Sequence, residues 1–242
     1  MSTCPIRVER ITKRYGKTVG VSDVSLDFPT GHVVCIVGES GSGKTTLVNV
    51  LLGLIKPTSG RVFPAQQAAL VLQDPYTSLS PLLTIEQSMA EPFKLAKKRI
   101  DAHRIDSVFS RLGLNFSALA QRRPHELSGG QLQRINIARA VLIQPDLIVM
   151  DEPTSMVDPI NTQRISEIIA EMKHDAAVVV VTHDLAFAQG IADSTVVMRQ
   201  GKMIEHITAN NVLTTSQLPY VREMDCAAND LAAYVRHLNM SR

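Results

Sequence analysis

The segment HVVCIV at residues 32–37 constrains the fold more than any other part of this sequence. An apolar run of this length between two glycines is typical of a strand buried on both faces, as in a parallel sheet. Directly after Lys44 the apolar period changes to that of one helix face. The residues on that face are Leu47, Val50, Leu51 and Leu54. We therefore predict a buried strand, a short loop and a helix that Pro57 and Gly60 end.

Two further segments have the character of buried strands. Residues 147–150 and 178–181 are short apolar runs, and a helical period follows Asp158 and Pro159. Asp before the first turn and Pro at the first helical position are typical of a helix start. The order strand, helix, strand predicts an α/β fold with a mainly parallel sheet.

The rest of the chain adds elements of other kinds. Apolar and polar residues alternate within residues 6–28, which predicts strands with one solvated face. Gln200 and Gly201 separate two apolar segments and predict a hairpin. Residues 82–143 are mostly helical in pattern, beginning with a capping box at Thr84.

Composition excludes several classes of protein. With 45% hydrophobic and 20% charged residues, the 242-residue chain has the make-up of a globular protein rather than a disordered one. A net charge of +2 and the absence of Trp argue against nucleic acid as a partner. No apolar run approaches the roughly 18–20 residues that span a bilayer, and the N-terminus lacks a signal peptide's apolar core, so we expect a cytosolic chain. The three cysteines are far apart, which indicates neither a disulfide framework nor a metal pair, and Cys35 is predicted to be buried.

The loop between the first buried strand and its helix carries the strongest chemical signal. Residues 38–45, GESGSGKT, match the phosphate-loop pattern GxxxxGK[ST] in the strand–helix context that the pattern requires. Glycines let successive N–H groups surround phosphate oxygens, while Lys44 can reach the β- and γ-phosphates and Thr45 can hold Mg²⁺. The alternative is a chance Gly/Ser-rich turn. The predicted nucleotide contacts in this segment are Gly38, Glu39, Ser40, Gly41, Ser42, Gly43, Lys44, Thr45 and Thr46.

Two carboxylates end the second buried strand. Asp151 and Glu152 follow residues 147–150, and the carboxyl ends of parallel strands form the ligand crevice of such sheets. Asp151 can hold Mg²⁺ through water, and Glu152 can orient or deprotonate a water for attack on the γ-phosphate. The alternative is a solvated acidic turn before Pro153.

A second glycine-rich helix start lies at residues 127–131, LSGGQ. It is either a further anion site or a plain glycine-rich cap. The same five residues are the signature of ATP-binding-cassette proteins, and the chain strongly resembles that family over nearly its whole length. The other motifs follow in the family's order. They are Tyr15 as the adenine-stacking aromatic, Gln73 of the Q-loop, the D-loop SMVD ending at Asp158, and the switch histidine His183.

The resemblance implies a P-loop NTPase core with a mainly parallel sheet, an antiparallel β subdomain and an inserted α-helical subdomain. One ATPase domain would comprise a nucleotide-binding core (1–81 and 144–207), a helical signature subdomain (82–143) and a C-terminal tail (208–242). ATP and Mg²⁺ would bind between two subunits. The implied catalytic residues are Glu152, His183 and Gln73. The implied magnesium contacts are Thr45, Gln73 and, through water, Asp151. The residues implied to act on the partner's nucleotide are Ser128, Gly129, Gly130 and Gln131.

A finer resemblance points to the ATPases of peptide and nickel importers. The segment 71–81, VLQDPYTSLSP, resembles their Q-loop region, and Gly201, Glu205 and residues 218–220 resemble their C-terminal segments. This implies a second ATPase (identical or different), two permeases, an extracytoplasmic binding protein and a place at the cytoplasmic face of the inner membrane. The tail lacks some relatives' cysteine cluster, so we expect no iron–sulfur centre. An exporter or lipoprotein-release ATPase, a soluble remodeller of nucleic acid or ribosomes, and a regulatory subunit with a dead site are the alternatives.

The sequence departs from the family's pattern in two places. Residues 60–73 are short for the family's β hairpin, and the D-loop has Met156 where Ala is common. Residues 74–81 have an irregular pattern and lead into the helical segment. The apolar side chains in and just after this stretch either pack on the chain's own core or form a socket for a permease helix. They are Tyr76, Leu79, Leu82 and Leu83.

Overall fold

A computed structural model describes residues 6–95 and 101–208 of the chain. The strands are β1 (Ile6–Tyr15), β2 (Thr18–Phe28), β3 (Val33–Val37), β4 (Ser59–Phe63), β5 (Ala68–Val71), β6 (Leu147–Asp151), β7 (Ala177–Val181), β8 (Ser194–Arg199) and β9 (Lys202–Ile207). The helices are α1 (Lys44–Leu51), α2 (Pro75–Ser78), α3 (Ile85–Leu95), α4 (Ala102–Arg111), α5 (Phe116–Leu119), α6 (Gly129–Leu142), α7 (Pro159–Met172) and α8 (Leu185–Ile191). Cys4, Cys226, the segment 218–220 and the tail beyond residue 208 lie outside the described residues.

The strands form two sheets. The larger has the order β5-β6-β7-β3-β8-β9 and is parallel except for β9, which pairs antiparallel with β8 across the predicted hairpin. The smaller is antiparallel, with the order β2-β1-β4. The predicted fold class, a mainly parallel sheet with an antiparallel sheet and helices, is therefore confirmed.

Strand β3 shows why the parallel sheet needs apolar residues at every position. Val33, Cys35 and Val37 face a core that α3, α4, α6, α7 and α8 cover. Val34 and Ile36 face a second core, which α1 and the antiparallel sheet cover. The sheet is thus the middle of three layers, and both its faces are covered and excluded from water. Cys35 is buried as predicted, and burial raises the pKa of its thiol.

Helix α1 is shorter than its apolar pattern predicts. It ends at Leu51, and Gly53 takes a left-handed φ of +70°, a common way for a helix to stop. The N–H of Leu54 then bonds back to the Asn49 carbonyl at 2.9 Å, and Leu54 itself is 62% exposed. The prediction that Leu54 belongs to the buried helix face was wrong.

The segment after the Q-loop is also more regular than predicted. Asp74 caps α2 by accepting the Tyr76 N–H at 2.9 Å, and Pro75 occupies the first turn. This is the same Asp-Pro signal that starts α7 at Asp158. The prediction of an irregular segment was therefore wrong for these four residues.

Helix α6 fastens the region around α2 and α3 to the rest of the molecule. Asn136 donates to the Pro75 carbonyl at 3.1 Å. Arg139 donates to the Ser78 carbonyl at 2.9 Å and to the Glu91 carboxylate at 3.0 Å. All three bonds come from the same helix, so α2, α3 and α6 are linked by polar bonds as well as by the core.

The capping box predicted before α3 is present. The Thr84 N–H donates to Gln87 Oε1 at 3.0 Å, and the Gln87 N–H donates to the Thr84 hydroxyl at 3.2 Å. Within residues 6–95 and 101–208, no helix has both the length and the apolar character that crossing a membrane requires.

Candidate nucleotide site

Four neighbouring parallel strands end at one edge of the large sheet, and each leads into a predicted motif. The order across the edge is β5, β6, β7 and β3. Gln73 follows β5, Asp151 ends β6, His183 follows β7 and Gly38 follows β3. Val181 pairs with Asp151 on one side and Ile36 on the other, which fixes the register of three strand ends. The sheet therefore brings these four motifs together.

The phosphate loop closes on itself through Lys44. Its ammonium donates to the carbonyls of Gly38 at 2.6 Å and Glu39 at 2.8 Å. The Ser42 N–H donates to the same Glu39 carbonyl at 3.1 Å. Gly41 has a φ of +78°, and nothing lies within 4 Å of the place a Cβ would take. The loop therefore opens to one side, as a cradle for phosphate must.

Gly43 begins helix α1 without a side-chain cap. Its φ is +104°, and a Cβ there would lie 2.4 Å from the Gly20 carbonyl oxygen, so only glycine fits. The N–H groups of the first turn have no partner from a capping side chain and carry the positive end of the helix dipole. These groups suit an anion.

The ammonium of Lys44 and the carboxylates of Asp151 and Glu152 interact at the phosphate loop. Burial lowers the pKa of Lys44, and the carboxylates of Glu152 and Asp151 oppose that effect. Burial and the neighbouring Glu152 raise the pKa of Asp151, and Lys44 opposes that rise. Mg²⁺ prefers oxygen ligands, and such oxygens are present in the Asp151 carboxylate, the Thr45 hydroxyl and the Gln73 amide. The residues present thus fit a nucleotide phosphate with its magnesium.

Glu152 is held by the chain that follows β7. Its side chain is 12% exposed, and its backbone takes a positive φ of +48°. Oε1 accepts the His183 N–H at 3.0 Å and lies 2.7 Å from His183 Nδ1. Oε2 accepts the Thr182 hydroxyl at 3.2 Å. The carboxylate is therefore fixed from both oxygens, while the His183 ring remains 73% exposed.

Thr182 is the polar residue of this site that the sequence does not single out. Thr is common in strands, and its partner Glu152 is 30 residues away in the chain. The available signal was a hydroxyl side chain directly after four apolar residues of a buried strand. That signal does not name its partner, because the partner depends on the register of β6 and β7.

Tyr15 lies beside the phosphate loop. A Cβ at Gly20 would be 2.9 Å from a Tyr15 ring carbon and 3.0 Å from the Thr46 methyl, so both side chains flank the Gly20 backbone. The Tyr15 ring is 50% exposed, and the Lys13 ammonium is 5.4 Å from its centroid. The structure thus places an accessible aromatic face near the loop.

The signature residues lie at the start of helix α6. Ser128 caps α6 in a capping box with Gln131, whose N–H donates to the Ser128 hydroxyl at 3.3 Å. The hydrogen bonds found for Ser128 among the described residues stay within α6, and none reaches Lys44. The Met156 sulfur lies 3.4 Å from the place a Cβ of Gly129 would take, so the D-loop packs over the signature glycines.

Asp158 ends the D-loop and caps α7. It accepts the Asn161 N–H at 3.1 Å and the Asn161 amide at 2.6 Å, and these hydrogen bonds hold the pKa of its carboxyl below its usual range. Asp158 is therefore charged at neutral pH and exposed at the surface that carries the signature.

Comparison with known proteins decides the family. The family model described as ABC transporter matches residues 21–155, more than half of the chain. The chain belongs to the ABC transporter ATPase family. The match begins in β2 and spans the phosphate loop, the Q-loop, the signature and the acid pair, which are the motifs that the sheet and helix α6 present.

Relatives of this ABC ATPase are found among both named and solved proteins. It is 32% identical to the probable peptide ABC transporter ATP-binding protein y4tS of Sinorhizobium fredii, covering 94% of this chain and 73% of that protein. It is 33% identical to the nickel import system ATP-binding protein NikE of Staphylococcus aureus, covering 90% and 97%. Among solved structures, a dimeric post-hydrolysis ATP-binding cassette, MJ0796 bound to ADP and Pi, superimposes with a TM-score of 0.74 at 27% identity, covering 84% and 98%. The chain is thus an ATP-hydrolysing subunit of an ABC transporter.

Proposed function

We propose that this ABC ATPase drives a multisubunit importer of peptides, nickel or a related metal or metallophore cargo. The observation that carries the ATPase part is the meeting of four motif-bearing strand ends at one edge of the sheet. The importer part is supported by the Q-loop segment 71–81 and by relatives named for peptide transport and nickel import. An exporter or lipoprotein-release ATPase is the alternative within the family.

ATP would be held along the phosphate loop. Tyr15 offers its exposed face to the adenine, and the amides of residues 38–46 surround the phosphates. Lys44 exchanges the carbonyls of Gly38 and Glu39 for phosphate oxygens. This exchange leaves the ammonium paired in both states, so its partial burial is compensated.

Magnesium would bind beside the phosphates through Thr45 and Gln73, with Asp151 acting through water. When bound, the ion neutralises charge on the β- and γ-phosphate oxygens. Asp151 suits an indirect role because its carboxylate ends a strand and is half-buried, whereas Gln73 is exposed and can approach or withdraw.

Glu152 would orient the attacking water as general base, with Gln73 and His183 beside it. An ionised carboxylate only accepts, so His183 Nδ1 carries the proton of their contact. The other ring nitrogen is thus directed away from Glu152, toward the γ-phosphate side in our proposal. The exposed ring can make that contact without any change in the core.

The nucleotide site would be completed by a second ATPase subunit. Ser128, Gly129, Gly130 and Gln131 would contact the γ-phosphate held by the partner's phosphate loop, and Asp158 would face the partner across the same surface. This is supported by the internal bonding of Ser128, which directs none of its hydrogen bonds to Lys44, and by the dimeric state of the solved relative.

Two permease subunits would contact the surface beside α2, with an extracytoplasmic binding protein delivering the cargo. Tyr76 and Leu82, which we call the docking patch, are 49% and 77% exposed, whereas Leu79 is 3% exposed and belongs to the core. A groove of about 400 Å³, lined partly by Leu72 and Arg139, adjoins α2. The ATPase would then lie at the cytoplasmic face of the inner membrane, with residues 82–143 as the subdomain that moves with the permeases.

One substitution tests the catalytic assignment. Glu152→Gln keeps the shape and removes the base, so MgATP binding should remain while hydrolysis slows by about a hundredfold, the low end for a general base. Lys44→Ala should instead weaken ATP binding itself. Normal hydrolysis by either variant contradicts the site.

The gene neighbourhood and an import assay test the direction of transport. Two permeases, a second ATPase and a binding protein are expected beside this gene. Reconstituted with those partners, the complex should move a labelled peptide or Ni²⁺ inward only with ATP. Neighbours of the lipoprotein-release type, or outward movement, would favour the alternative.

A further inference from the structure

Thr182 lies directly after β7 and is completely buried. Its hydroxyl has two partners, the Glu152 Oε2 at 3.2 Å and the Asp184 N–H at 3.0 Å. Its own N–H donates to the Ile36 carbonyl at 3.2 Å, in the strand that leads into the phosphate loop. One buried residue therefore connects β3 through its backbone, and the start of α8 and the carboxylate of Glu152 through its hydroxyl.

The direction of these bonds follows from the chemistry of the groups. A backbone N–H can only donate, so the hydroxyl accepts from Asp184. The single hydroxyl proton is then left for Glu152, whose ionised carboxylate can only accept. Each group has the role that its partner requires, so the orientation of the hydroxyl is fixed.

The two oxygens of Glu152 are used unequally. Oε1 faces two donors of His183, the backbone N–H at 3.0 Å and the ring Nδ1 at 2.7 Å. Among the residues that the structure describes, Oε2 has a single donor, the Thr182 hydroxyl. A carboxylate oxygen has room for about two donors, so Oε2 retains acceptor capacity while its direction is set by Thr182.

We propose that Thr182 is a positioning residue for ATP hydrolysis, which aims Oε2 of Glu152 at the attacking water. The proposal rests on the proposed role of Glu152 as the base. The anchoring of Thr182 suits this task, because a hydroxyl buried between two secondary-structure elements keeps one position through the cycle. His183, with its exposed ring, is free to follow the nucleotide instead.

The test compares Thr182→Val with Thr182→Ser in the full-length protein. Valine has nearly the same shape without the hydroxyl, and serine keeps the hydroxyl. We expect Thr182→Val to lower kcat roughly tenfold, the effect of one lost orienting hydrogen bond, with KM for ATP within about twofold. Thr182→Ser should recover most of kcat. Equal kcat for the valine variant and the parent would overturn the proposal.

A matched control is available in Thr195, on strand β8 of the same sheet. It is as buried as Thr182, but its hydroxyl has no hydrogen-bond partner within the described part of the chain. Thr195→Val should leave kcat unchanged. A similar loss of kcat in both valine variants would mean that any buried Thr→Val change slows the enzyme, and the proposal would fail.

A double-mutant comparison separates positioning from a merely structural role. If Thr182 acts through Glu152, Thr182→Val should have no further effect on the residual hydrolysis of Glu152→Gln. An equal loss in both backgrounds contradicts the proposal. If Thr182→Val does not fold, Thr182→Cys, with a similar size and a weaker donor, carries the same expectation.

The outcomes also distinguish this proposal from the function on which it rests. Full hydrolysis by Glu152→Gln rejects Glu152 as the base, whatever Thr182 does. Loss of hydrolysis in Glu152→Gln together with full hydrolysis in Thr182→Val retains the base and rejects only the positioning role.

Discussion

Two helices of this ATPase begin after glycine-rich loops, and they begin differently. Helix α1 has Gly43 at its N-cap in a left-handed conformation, with no side-chain cap. Helix α6 has Ser128 at its N-cap, and Gln131 completes a capping box with it. Two glycine-rich loops thus lead to different helix starts: no side chain caps α1, whereas the Ser128 side chain caps α6.

The difference bears on how each loop would meet a phosphate in the proposed site. The N–H groups at the start of α1 remain available, and Lys44 adds a charge, so this loop can hold an anion by itself. At the start of α6 the Gln131 N–H is already bonded to the Ser128 hydroxyl, and no lysine follows the signature glycines as Lys44 follows Gly43, so this end holds an anion less strongly by itself. Binding at α6 is therefore expected to need the phosphate that another loop presents.

The glycines of the two loops differ in the same way. A Cβ at Gly43 would strike a backbone oxygen at 2.4 Å, whereas one at Gly129 would meet the Met156 sulfur at the ordinary distance of 3.4 Å. Gly43 is required for the fold of its loop. A Cβ at Gly129 would not clash within the chain, so a requirement for glycine at this position would come from contact with a partner.

The largest expected effect is at Gly43. Gly43→Ala should lower ATP affinity and turnover by about a hundredfold or more, because the loop must shift to relieve the contact with Gly20. Nucleotide titration and steady-state hydrolysis measure this. The control is Gly53→Ala, whose φ of +70° is strained in open space outside the loop, so it should cost stability and leave ATP affinity unchanged. If Gly43→Ala bound ATP as the parent does, glycine would not be required in the phosphate loop, and the contrast with Gly129 would fail.

The next effect is at Ser128 in a mixed assembly. Ser128→Arg on one subunit fills the space where a γ-phosphate would contact α6, so the site formed with the other subunit's phosphate loop should lose turnover by at least tenfold. Trapping ATP at single sites locates the damage. Damage confined to the mutated subunit's own phosphate loop would contradict binding in trans.

A smaller and opposite pair of effects is expected at Gly129. Gly129→Ala should raise or preserve the melting temperature, because Ala is better than Gly in a helix by about 1 kcal/mol. Turnover should nevertheless fall several-fold, since Gly129 is one of the residues proposed to contact the partner's γ-phosphate and its methyl would lie against Met156 of the D-loop. A marked fall in melting temperature would show that Gly129 is needed within the chain.

The smallest effect concerns the cap alone. Ser128→Ala removes the hydroxyl that accepts the Gln131 N–H, which should cost about 1 kcal/mol and lower the melting temperature by roughly 2–4 °C. Thermal melting without nucleotide measures it. Ser128→Asp, which can still cap, is the control and should melt like the parent.

Local patterns in the sequence predict the parts of this structure that local interactions decide. The buried strands follow from their apolar runs, because both faces of the parallel sheet are covered. The phosphate loop follows from its motif between a strand and a helix. The capping box at Thr84 and the Asp-Pro start of α7 needed no distant contact.

Features that depend on distant contacts could not be read in this way. The end of α1 is a local exception, because the turn at Gly53 decides it and the apolar spacing of Leu54 does not show that turn. The separation of core Leu79 from exposed Tyr76 and Leu82 depends on how α2 packs against α6. The bond between Thr182 and Glu152 depends on strand register.

The polar bonds that join α2 and α3 to α6 have a mechanical consequence. Asn136 lies about halfway along α6 and Arg139 about three-quarters of the way along it, and both donate to α2. Arg139 also donates to Glu91 of α3. At 1.5 Å per residue, Arg139 lies roughly 16 Å from Ser128 along the helix axis. In the proposed transporter, a force applied at the docking patch would act on α6 through these bonds and also through Tyr76, whose hydroxyl lies 4.0 Å from the place a Cβ of Gly129 would take. A small tilt of α6 would move Ser128, so the stiffness of this helix would set how much permease motion reaches the nucleotide held by the partner subunit.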